Sequence, residues 1–416
     1  MEFPKLFRLQ QSFEGPELSD VAGEVHRQLN EISLSEKISA GESVAITVGS
    51  RGIANIPVIV RAIADFLKNI QAKPFIVPAM GSHGGATVEG QVQVLESLGV
   101  TAESCGCPIR ASMETVVVCQ SEQGFDVHFD RHAYEADHVL VCGRVKLHTD
   151  FLGEIQSGLM KRMLIGLGKQ KGASTYHRAF QEFSFDQIIR SVSETVINHC
   201  QIVAGLAIVE NGFEQTALIE AVRPEEIVTR EPELLRLSSQ WMARLPFEQV
   251  DVLIIDEIGK NISGTGMDTN VVGRKINENA AAPDEYPKVK RIIVRGLTEA
   301  THGNACGIGV ADFTTQNVVD EMDYPATRVN CVTSGRMGGG YIPMCFATDR
   351  QALEAAFQTI GLIPPEQVRL LRIRNTLQLE TLQCSQAYLD EAQGRSDLTV
   401  VGDLYEMPFE PSDRLM

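Results

Sequence analysis

The sequence feature that most constrains the fold is a strand–loop–helix unit that occurs twice in succession, at residues 44–70 and 74–98. Each unit opens with a short apolar run, which is typical of a buried strand when it is bounded by turn residues. A glycine-bearing loop follows, at residues 49–52 in the first unit and 81–85 in the second, and a helical segment completes each unit. Consecutive units of this kind predict parallel strands joined by helical crossovers.

A third predicted strand, residues 139–145, leads into the most unusual stretch of the chain. His148 lies just past this strand, and a glycine-rich, basic segment continues from it to Arg178. In open α/β sheets, ligands bind beyond the carboxyl ends of the strands, where neighbouring loops meet. We therefore expect the loops that carry Arg51, His83 and His148 to lie at one edge of a single sheet.

The chain of 416 residues exceeds the length of a single typical core, so more than one domain is expected. Residues 225–246 form a charged helical connector, after which buried-strand patterns resume at residues 250–256 and 291–295. We therefore predict an α/β protein of two domains, each with a mainly parallel sheet and helical crossovers. The N-terminal domain is predicted to span residues 1–235. Residues 236–416 form the predicted C-terminal domain, which closes over the substrate cleft and ends in a loosely packed tail.

Composition excludes several classes of partner. The chain carries 54 acidic and 37 basic residues, a formal net charge of −17, which argues against binding to nucleic acid or an anionic membrane. No apolar run approaches the roughly 20 residues of a membrane span, and the N-terminus lacks the apolar core of a signal peptide. The nine cysteines include no CxxC pair, so most are expected to be small buried hydrophobes. These features predict a cytoplasmic protein with a small-molecule partner, and they leave the oligomeric state open.

Three histidines and one arginine are the main candidates for chemistry. His83 lies among small residues in GSHGG, and His148 ends a buried strand beside a lysine and an aspartate. Histidine is the usual acid/base group near neutral pH and a common ligand for nickel, zinc or copper. Arg51, between glycines, suits a carboxylate or a phosphate. His177 lies in the aromatic, basic context TYHR, which suits a site residue and a surface histidine equally well.

The ordered motifs GSR, GSHGG, KLHTDF, TYH and GTGMDTN resemble those of the lactate racemase (LarA) superfamily, and the resemblance extends over roughly residues 10–400. It implies a nickel-pincer nucleotide as cofactor, namely nickel pyridinium-3,5-bisthiocarboxylic acid mononucleotide. In that cofactor two sulfurs and a ring carbon hold the metal. The resemblance further implies that a lysine tethers one arm as a thioamide, that a histidine fills the remaining nickel position, and that two other histidines form an acid/base pair.

Carried over by position, the resemblance implies a role for each candidate in this chain. The acid/base pair, the substrate-binding arginine, the lysine tether and the nickel ligand correspond in that order to His83 with His148, Arg51, Lys161 and His177. The segment from His148 to Lys161 is longer than in lactate racemase, so Lys169 and Lys171 are rival candidates for the tether.

Two departures from the family pattern concern the substrate. Val48 stands where lactate racemase has an aspartate. In the predicted C-terminal domain, Asp268 and Asn270 match an Asp-x-Asn signature of the family, but Gly273 stands at the position of its downstream glutamine, and the lysine position falls near Lys275 or Ile276. These positions contact substrate in the racemase, and Lys260 lies in the same polar loop. These residues predict a substrate other than lactate that carries several hydroxyls, such as the aldonate gluconate.

The hypothesis drawn from the resemblance is a racemase or epimerase that inverts C2 of a 2-hydroxy acid by reversible hydride transfer to the nickel-pincer nucleotide. One alternative is a noncatalytic carrier of nickel or of the metallonucleotide, which uses the same histidines without turnover. Another is a divalent-metal lyase or hydrolase in which His83 and His148 are metal ligands.

Overall fold

The protein is described here by a computed structural model over residues 1–277 and 280–416, and it divides into two compact units. The first unit is Glu14–Met242. The second unit combines Met1–Phe13 with Ala243–Met416. Each unit has its own sheet, and each is described separately below.

The division of the chain differs from the predicted one at two places. The predicted boundary at residue 235 falls inside the helix Ile227–Trp241, which belongs to the first unit. Because Leu234 and Leu235 of this helix pack in the core of the first unit, that unit ends only after the helix. The N-terminal residues, predicted to belong to the first domain, instead supply strand β1 (Leu6–Gln11) to the sheet of the second unit. The partners of β1 lie near the other end of the chain, a separation over which local patterns carry no information.

The first unit contains a five-stranded sheet and a separate two-stranded hairpin. Its strands are β2 (Ser43–Val48), β3 (Lys73–Pro78), β4 (Thr115–Gln120), β5 (Asp126–Asp130), β6 (His138–Arg144), β7 (Ile202–Glu210) and β8 (Thr216–Val222). The order in the main sheet is β3–β2–β6–β7–β8, and only β8 runs antiparallel to its neighbour. Strands β4 and β5 form the antiparallel hairpin.

The helices of the first unit are α1 (Val21–Glu31), α2 (Ile56–Asn69), α3 (Val88–Ser97), α4 (Ala102–Cys105), α5 (Arg131–Tyr134), α6 (Leu159–Lys161), α7 (Lys169–Ala179), α8 (Phe185–His199) and α9 (Ile227–Trp241). Helix α2 has Pro57 in its first turn, where the missing N–H costs nothing. Helix α3 is capped by Thr87, whose side chain accepts a hydrogen bond from the Gly90 amide. None of the helices in the described residues is long and apolar enough to cross a membrane.

The main sheet of the first unit is buried on both faces. Val44 and Ile46 of β2 pack in one hydrophobic cluster, whereas Ala45 and Val141 pack in a second cluster. Side chains alternate across a strand, so both sets of residues are apolar and the strands read as continuous hydrophobic runs. The polar groups of this sheet are consequently concentrated in the loops at the strand ends.

The second unit has an eight-stranded sheet of order β12–β11–β10–β9–β13–β14–β1–β15. Its further strands are β9 (Gln249–Ile255), β10 (Lys288–Val294), β11 (Phe313–Thr315), β12 (Met344–Phe346), β13 (Leu370–Ile373), β14 (Thr381–Ser385) and β15 (Leu398–Tyr405). Its helices are α10 (Thr269–Val272), α11 (Gln316–Glu321), α12 (Tyr324–Ser334), α13 (Asp349–Gln358) and α14 (Leu389–Gln393). The five neighbouring strands β12, β11, β10, β9 and β13 are parallel to one another. The pairings β13–β14, β14–β1 and β1–β15 are antiparallel. The predicted α/β class with two mainly parallel sheets is confirmed.

The C-terminal tail is ordered, contrary to the prediction that it packs loosely. Leu415 is buried, its amide donates to Asp349, and Phe409 stacks against the guanidinium of Arg350. The prediction was wrong because it used only the sequence of the tail, whereas the residues that hold the tail, Asp349 and Arg350, come from α13.

Candidate active site

Three neighbouring parallel strands of the first unit, β3, β2 and β6, end at the same edge of the sheet. The loop after β3 stays close to this edge, because the Ala79 amide donates to the Val48 carbonyl at 2.7 Å. Two residues later in the same loop, the Gly81 amide donates to the Gly166 carbonyl at 3.1 Å, which joins this loop to the segment after Lys161. Backbone hydrogen bonds therefore join the loop that carries His83 to the end of β2 and to the segment after Lys161.

His83 connects two of these loops through one ring nitrogen. Its Nδ1 lies 2.9 Å from the Met80 carbonyl oxygen and 2.8 Å from Ser50 Oγ. Because a carbonyl can only accept a hydrogen bond, Nδ1 carries the proton in the neutral ring. Nε2 of His83 then bears the lone pair, which is the state required of a general base.

His148 lies on a loop that closes on itself at its base. The Lys146 amide donates to the Ser157 carbonyl at 2.9 Å, and the His148 amide donates to Gln156 Oε1 at 2.8 Å. The residues between Lys146 and Ser157 therefore form a loop whose two ends are hydrogen-bonded to each other. This closure keeps Lys161 close to the His148 loop, where its ammonium lies over the Phe151 ring.

The ring of His148 is held in the tautomer opposite to that of His83. Its Nδ1 accepts hydrogen bonds from the backbone amides of Asp150 at 3.0 Å and Phe151 at 3.2 Å. Since Nδ1 is the acceptor, the proton of the neutral ring lies on Nε2. The two histidines thus offer a lone pair on Nε2 of His83 and an N–H on Nε2 of His148.

An aromatic cluster joins His148, Lys161 and His177. Phe151 stacks on His148 with a centroid distance of 4.1 Å, and the Lys161 ammonium lies 5.2 Å above the Phe151 ring. Phe180 contacts Phe151 edge to face at 5.3 Å and His177 at 5.7 Å. The predicted acid/base histidine, tether and nickel ligand therefore border one cluster of rings.

Lys161 ends the short helix α6 and is followed by a π-helical turn, Arg162–Gly166, a feature that is rare and frequent at functional sites. The pKa of the Lys161 amine is lowered to about 7, mainly by burial. The charge of Asp150 opposes this shift, and the positive charges of Arg51, Arg162 and Lys146 add to it. An amine with this pKa is substantially neutral near pH 7, so it can act as a nucleophile.

His177 lies on α7, whose start follows the π-helical turn. Burial lowers the pKa of its imidazole, and the nearby charge of Lys161 lowers it further, whereas Asp150 raises it. The neutral ring is therefore favoured, and a neutral imidazole is the form that binds a metal. Between the two interpretations that the sequence allows, this environment is that of a site residue rather than of a surface histidine.

Arg51 extends from the loop after β2. Its side chain reaches solvent, yet enough protein surrounds the guanidinium that desolvation lowers its pKa, and the charge of Arg144 adds to this effect. A side chain that is both accessible and partly desolvated lies in a concave part of the surface. Arg144 forms an ion pair with Glu210, whose other oxygen accepts from the Ala54 amide at 2.6 Å and so anchors the Arg51 loop.

Arg162 is a site residue that the sequence reasoning missed. Its guanidinium crosses the strand ends: Nη1 donates to the Ala79 carbonyl at 2.9 Å, and Nη1 lies 1.8 Å from where a Cβ on Gly49 would be. Any side chain at Gly49 would therefore displace the arginine. Burial lowers the pKa of Arg162 to about 10, so the charge is retained at neutral pH. The glycine after β2 was visible in the sequence, but the arginine that needs it was not.

Lys169, a rival candidate for the tether, is engaged in a buried network. Its ammonium pairs with Asp130 at 3.1 Å, both side chains being fully buried, and it donates to Gln91 Oε1 at 3.1 Å. The side-chain Nε2 of Gln91 in turn donates to the Gly81 carbonyl at 2.9 Å. Lys169 therefore supports the loop that carries His83. Lys171, the other rival, is exposed.

We expect Lys169→Met to lower the free energy of unfolding by about 3–5 kcal/mol, because it leaves the buried Asp130 carboxylate without its partner. Denaturant titration measures this, with the exposed Lys171→Met as the matched control. Adding Asp130→Asn to Lys169→Met should recover part of the loss. Unchanged stability of the single variant would mean that the pair is not an interdependent buried ion pair.

The polar residues predicted to contact substrate in the second unit form two groups. Asn270 donates to Asp268 Oδ1 through its backbone amide at 2.9 Å and through Nδ2 at 2.8 Å, and Lys275 donates to Asn270 Oδ1 at 3.2 Å. The Lys260 ammonium donates instead to the Gly264 carbonyl and to Asn330 Oδ1. The residues of the Asp-x-Asn signature therefore form hydrogen bonds within their own loop, while Lys260 stabilises the turn before it.

Among residues 1–277 and 280–416, no group of three or more histidine, cysteine, aspartate or glutamate side chains is arranged to hold a metal ion. Seven of the nine cysteines are buried, as predicted.

Fold and geometry together define the first unit as a parallel α/β domain whose candidate site combines histidines, a lysine of lowered pKa and arginines at the strand ends. Residues 9–185 match the family model of the lactate racemase N-terminal domain. The predicted relation to the lactate racemase superfamily is confirmed.

Comparison of structures finds distant similarities. The lactate racemase apoprotein from Thermoanaerobacterium thermosaccharolyticum is 16% identical with a TM-score of 0.47, and the match covers 69% of each chain. A protein from Thermotoga maritima is 14% identical with a TM-score of 0.49, and the match covers 68% of this chain and 72% of that one. No curated protein matches this sequence significantly.

Proposed function

We propose that this protein is a racemase or epimerase that inverts C2 of a 2-hydroxy acid with the help of a nickel-pincer nucleotide. The observation that carries the proposal is the opposite tautomers of His83 and His148. Inversion requires that one group remove the hydroxyl proton and another return a proton after the carbon has been approached from its other face. A lone pair on Nε2 of His83 and an N–H on Nε2 of His148 meet that requirement in one direction, and the reverse reaction needs the opposite protonation at the two Nε2 atoms.

The residues present fit the proposed cofactor. The low-pKa amine of Lys161 is suited to covalent attachment, and the neutral imidazole of His177 is suited to one nickel position. Arg51, Lys146 and Arg162 surround Lys161 with positive charge that would favour an anionic nucleotide and a carboxylate substrate. When bound, such a cofactor supplies a reversible acceptor for the C2 hydride.

Each protein group then has a limited task. Arg51 binds the substrate carboxylate and so fixes C2 relative to the two imidazoles. Nε2 of His83 takes the hydroxyl proton as the alcohol becomes a planar 2-keto acid. Nε2–H of His148 gives its proton to the keto oxygen as the alcohol is re-formed, and a proton passes from the His83 imidazolium back to His148 through solvent, which restores both neutral rings. Phe151, stacked on His148, keeps that ring in place.

We propose an aldonate such as gluconate as the preferred substrate. Val48 removes the aspartate that lactate racemase has at this position, and the family resemblance makes Lys260, Asp268 and Asn270 the proposed substrate-contact residues. Each satisfied substrate hydroxyl is worth about 1–3 kcal/mol, so two of them give on the order of hundredfold discrimination or more. We expect cofactor-loaded protein to invert gluconate faster than lactate. Parallel assays of gluconate, malate and lactate by chiral separation test this expectation, and lactate as the best substrate would contradict it.

A further inference from the structure

A buried glutamate of the first unit lies directly behind the turn that carries Lys161. Glu231 of α9 is 1% exposed, and its Oε2 accepts a hydrogen bond from the Met160 amide at 2.9 Å. Met160 belongs to α6, whose N-terminal amides have no partner within the helix. The carboxylate therefore caps the helix that ends in Lys161, although it comes from an element 70 residues later in the chain (231 − 161 = 70).

The space that the Glu231 carboxylate occupies exists because residue 158 is a glycine. A Cβ on Gly158 would lie 2.3 Å from Glu231 Oε1, so any other residue at position 158 would push the carboxylate away. The other side of the turn is equally confined, because Leu159 Cδ1 lies 2.6 Å from where a Cβ on Gly205 of β7 would be. Ser193 of α8 adds a hydrogen bond to the Met160 carbonyl at 3.4 Å. The backbone before Lys161 is thus fixed from three elements.

Burial of Glu231 is costly, which indicates that its contribution is to geometry rather than to stability. Desolvation raises the pKa of its carboxyl to about 7, against the opposing effect of the Met160 and Leu159 amides. Within the described residues, its Oε1 has no hydrogen-bond partner. An apolar side chain of similar volume would avoid both costs.

We propose that Glu231 is a positioning residue for Lys161: seated against Gly158 and bonded to the Met160 amide, it fixes the turn from which the Lys161 amine reaches the aromatic cluster. The inference deepens the proposed function, since Lys161 is the proposed tether. Glu231 acts through the backbone of α6 and takes no part in the chemistry.

Two variants of Glu231 separate the hydrogen bond from the bulk of the side chain. Glu231→Leu fills the same space without an acceptor, whereas Glu231→Gln retains an acceptor oxygen. In the cofactor-free protein, we expect amide hydrogen exchange at residues 159–161 to be about tenfold faster in Glu231→Leu and close to wild type in Glu231→Gln, in line with the loss of a helix cap. In protein from a cofactor-producing host, we expect the Lys161 adduct to fall severalfold in Glu231→Leu alone.

A matched control and a second route to the same defect complete the test. Leu235→Ala removes buried bulk from the same helix but no hydrogen-bond acceptor, so it should leave both readouts unchanged in the folded protein. Gly158→Ala should reproduce the defect of Glu231→Leu, because it displaces the carboxylate while leaving it in the chain.

Three results would overturn the inference: wild-type exchange in Glu231→Leu, faster exchange without loss of adduct, or equal loss of adduct in Leu235→Ala. If wild-type protein carries no adduct, the proposed function fails, and the exchange measurement still decides whether Glu231 fixes the turn.

Discussion

Replacing Lys161 with methionine is expected to remove the covalent cofactor completely, because methionine keeps a long, flexible side chain but has no amine. Racemisation should fall at least about a hundredfold, since a cofactor held without its tether loses the fixed orientation on which the reaction depends. Intact-protein mass and peptide mapping measure the adduct, and chiral separation measures turnover. Lys171→Met, on the exposed surface of α7, is the matched control and should retain both.

The pH dependence of this lysine provides an independent check. Because burial lowers the pKa of Lys161 to about 7, its reactivity towards an acylating reagent in cofactor-free protein should rise through pH 7. An ordinary exposed lysine gains reactivity only near a pKa of about 10.4. An adduct that maps to Lys169 or Lys171, or a Lys161 that titrates like a surface lysine, would contradict the assignment.

Replacing either His83 or His148 with asparagine is expected to lower the rate of C2 inversion by roughly 10²–10⁴-fold, the usual contribution of a general acid or base. Asparagine is the sharpest choice at both positions. Its Nδ2 can donate to the Met80 carbonyl as Nδ1–H of His83 does, and its Oδ1 can accept from the Asp150 amide as Nδ1 of His148 does. The loops should therefore stay in place while proton transfer is lost.

Nickel content distinguishes this account from its rivals. We expect both asparagine variants to retain nickel, whereas His177→Ala should lose most of it, because one metal position then has no ligand from the protein. If His83→Asn or His148→Asn loses the metal, these histidines are ligands, as in a divalent-metal lyase or hydrolase. If all variants keep nickel and the wild type inverts none of the acids tested, a noncatalytic carrier is favoured.

Local patterns in the sequence predicted much of the first unit. The helical segments predicted to complete the two strand–loop–helix units, which end at residues 70 and 98, are observed at Ile56–Asn69 and Val88–Ser97. Both begin at local turn chemistry: Pro57 lies in the first turn of one, and Thr87 caps the other. The parallel order of β3, β2 and β6, whose loops carry His83, Arg51 and His148, was also predicted from these patterns.

The features that sequence reasoning missed depend on contacts between distant segments. The Arg162 side chain occupies space that Gly49 leaves open, and the Glu231 carboxylate occupies space that Gly158 leaves open. In each pair, the sequence shows the glycine but not the distant residue that needs it. Strand β1 pairs with β14 and β15, which no periodicity at the N-terminus indicates. The tautomers of His83 and His148 likewise depend on single carbonyl and amide groups whose positions only the folded chain defines.

The most direct test of the central claim follows the hydrogen on C2. Gluconate, malate and lactate labelled with deuterium at C2 are incubated in ordinary water with cofactor-loaded protein, and the inverted product is analysed by NMR and mass spectrometry. If the histidines move only the hydroxyl proton, the deuterium leaves and returns as a hydride, and the inverted acid keeps its label at C2. Inverted product that has exchanged its label for solvent hydrogen would show that a base removes the carbon-bound proton, and would contradict the account.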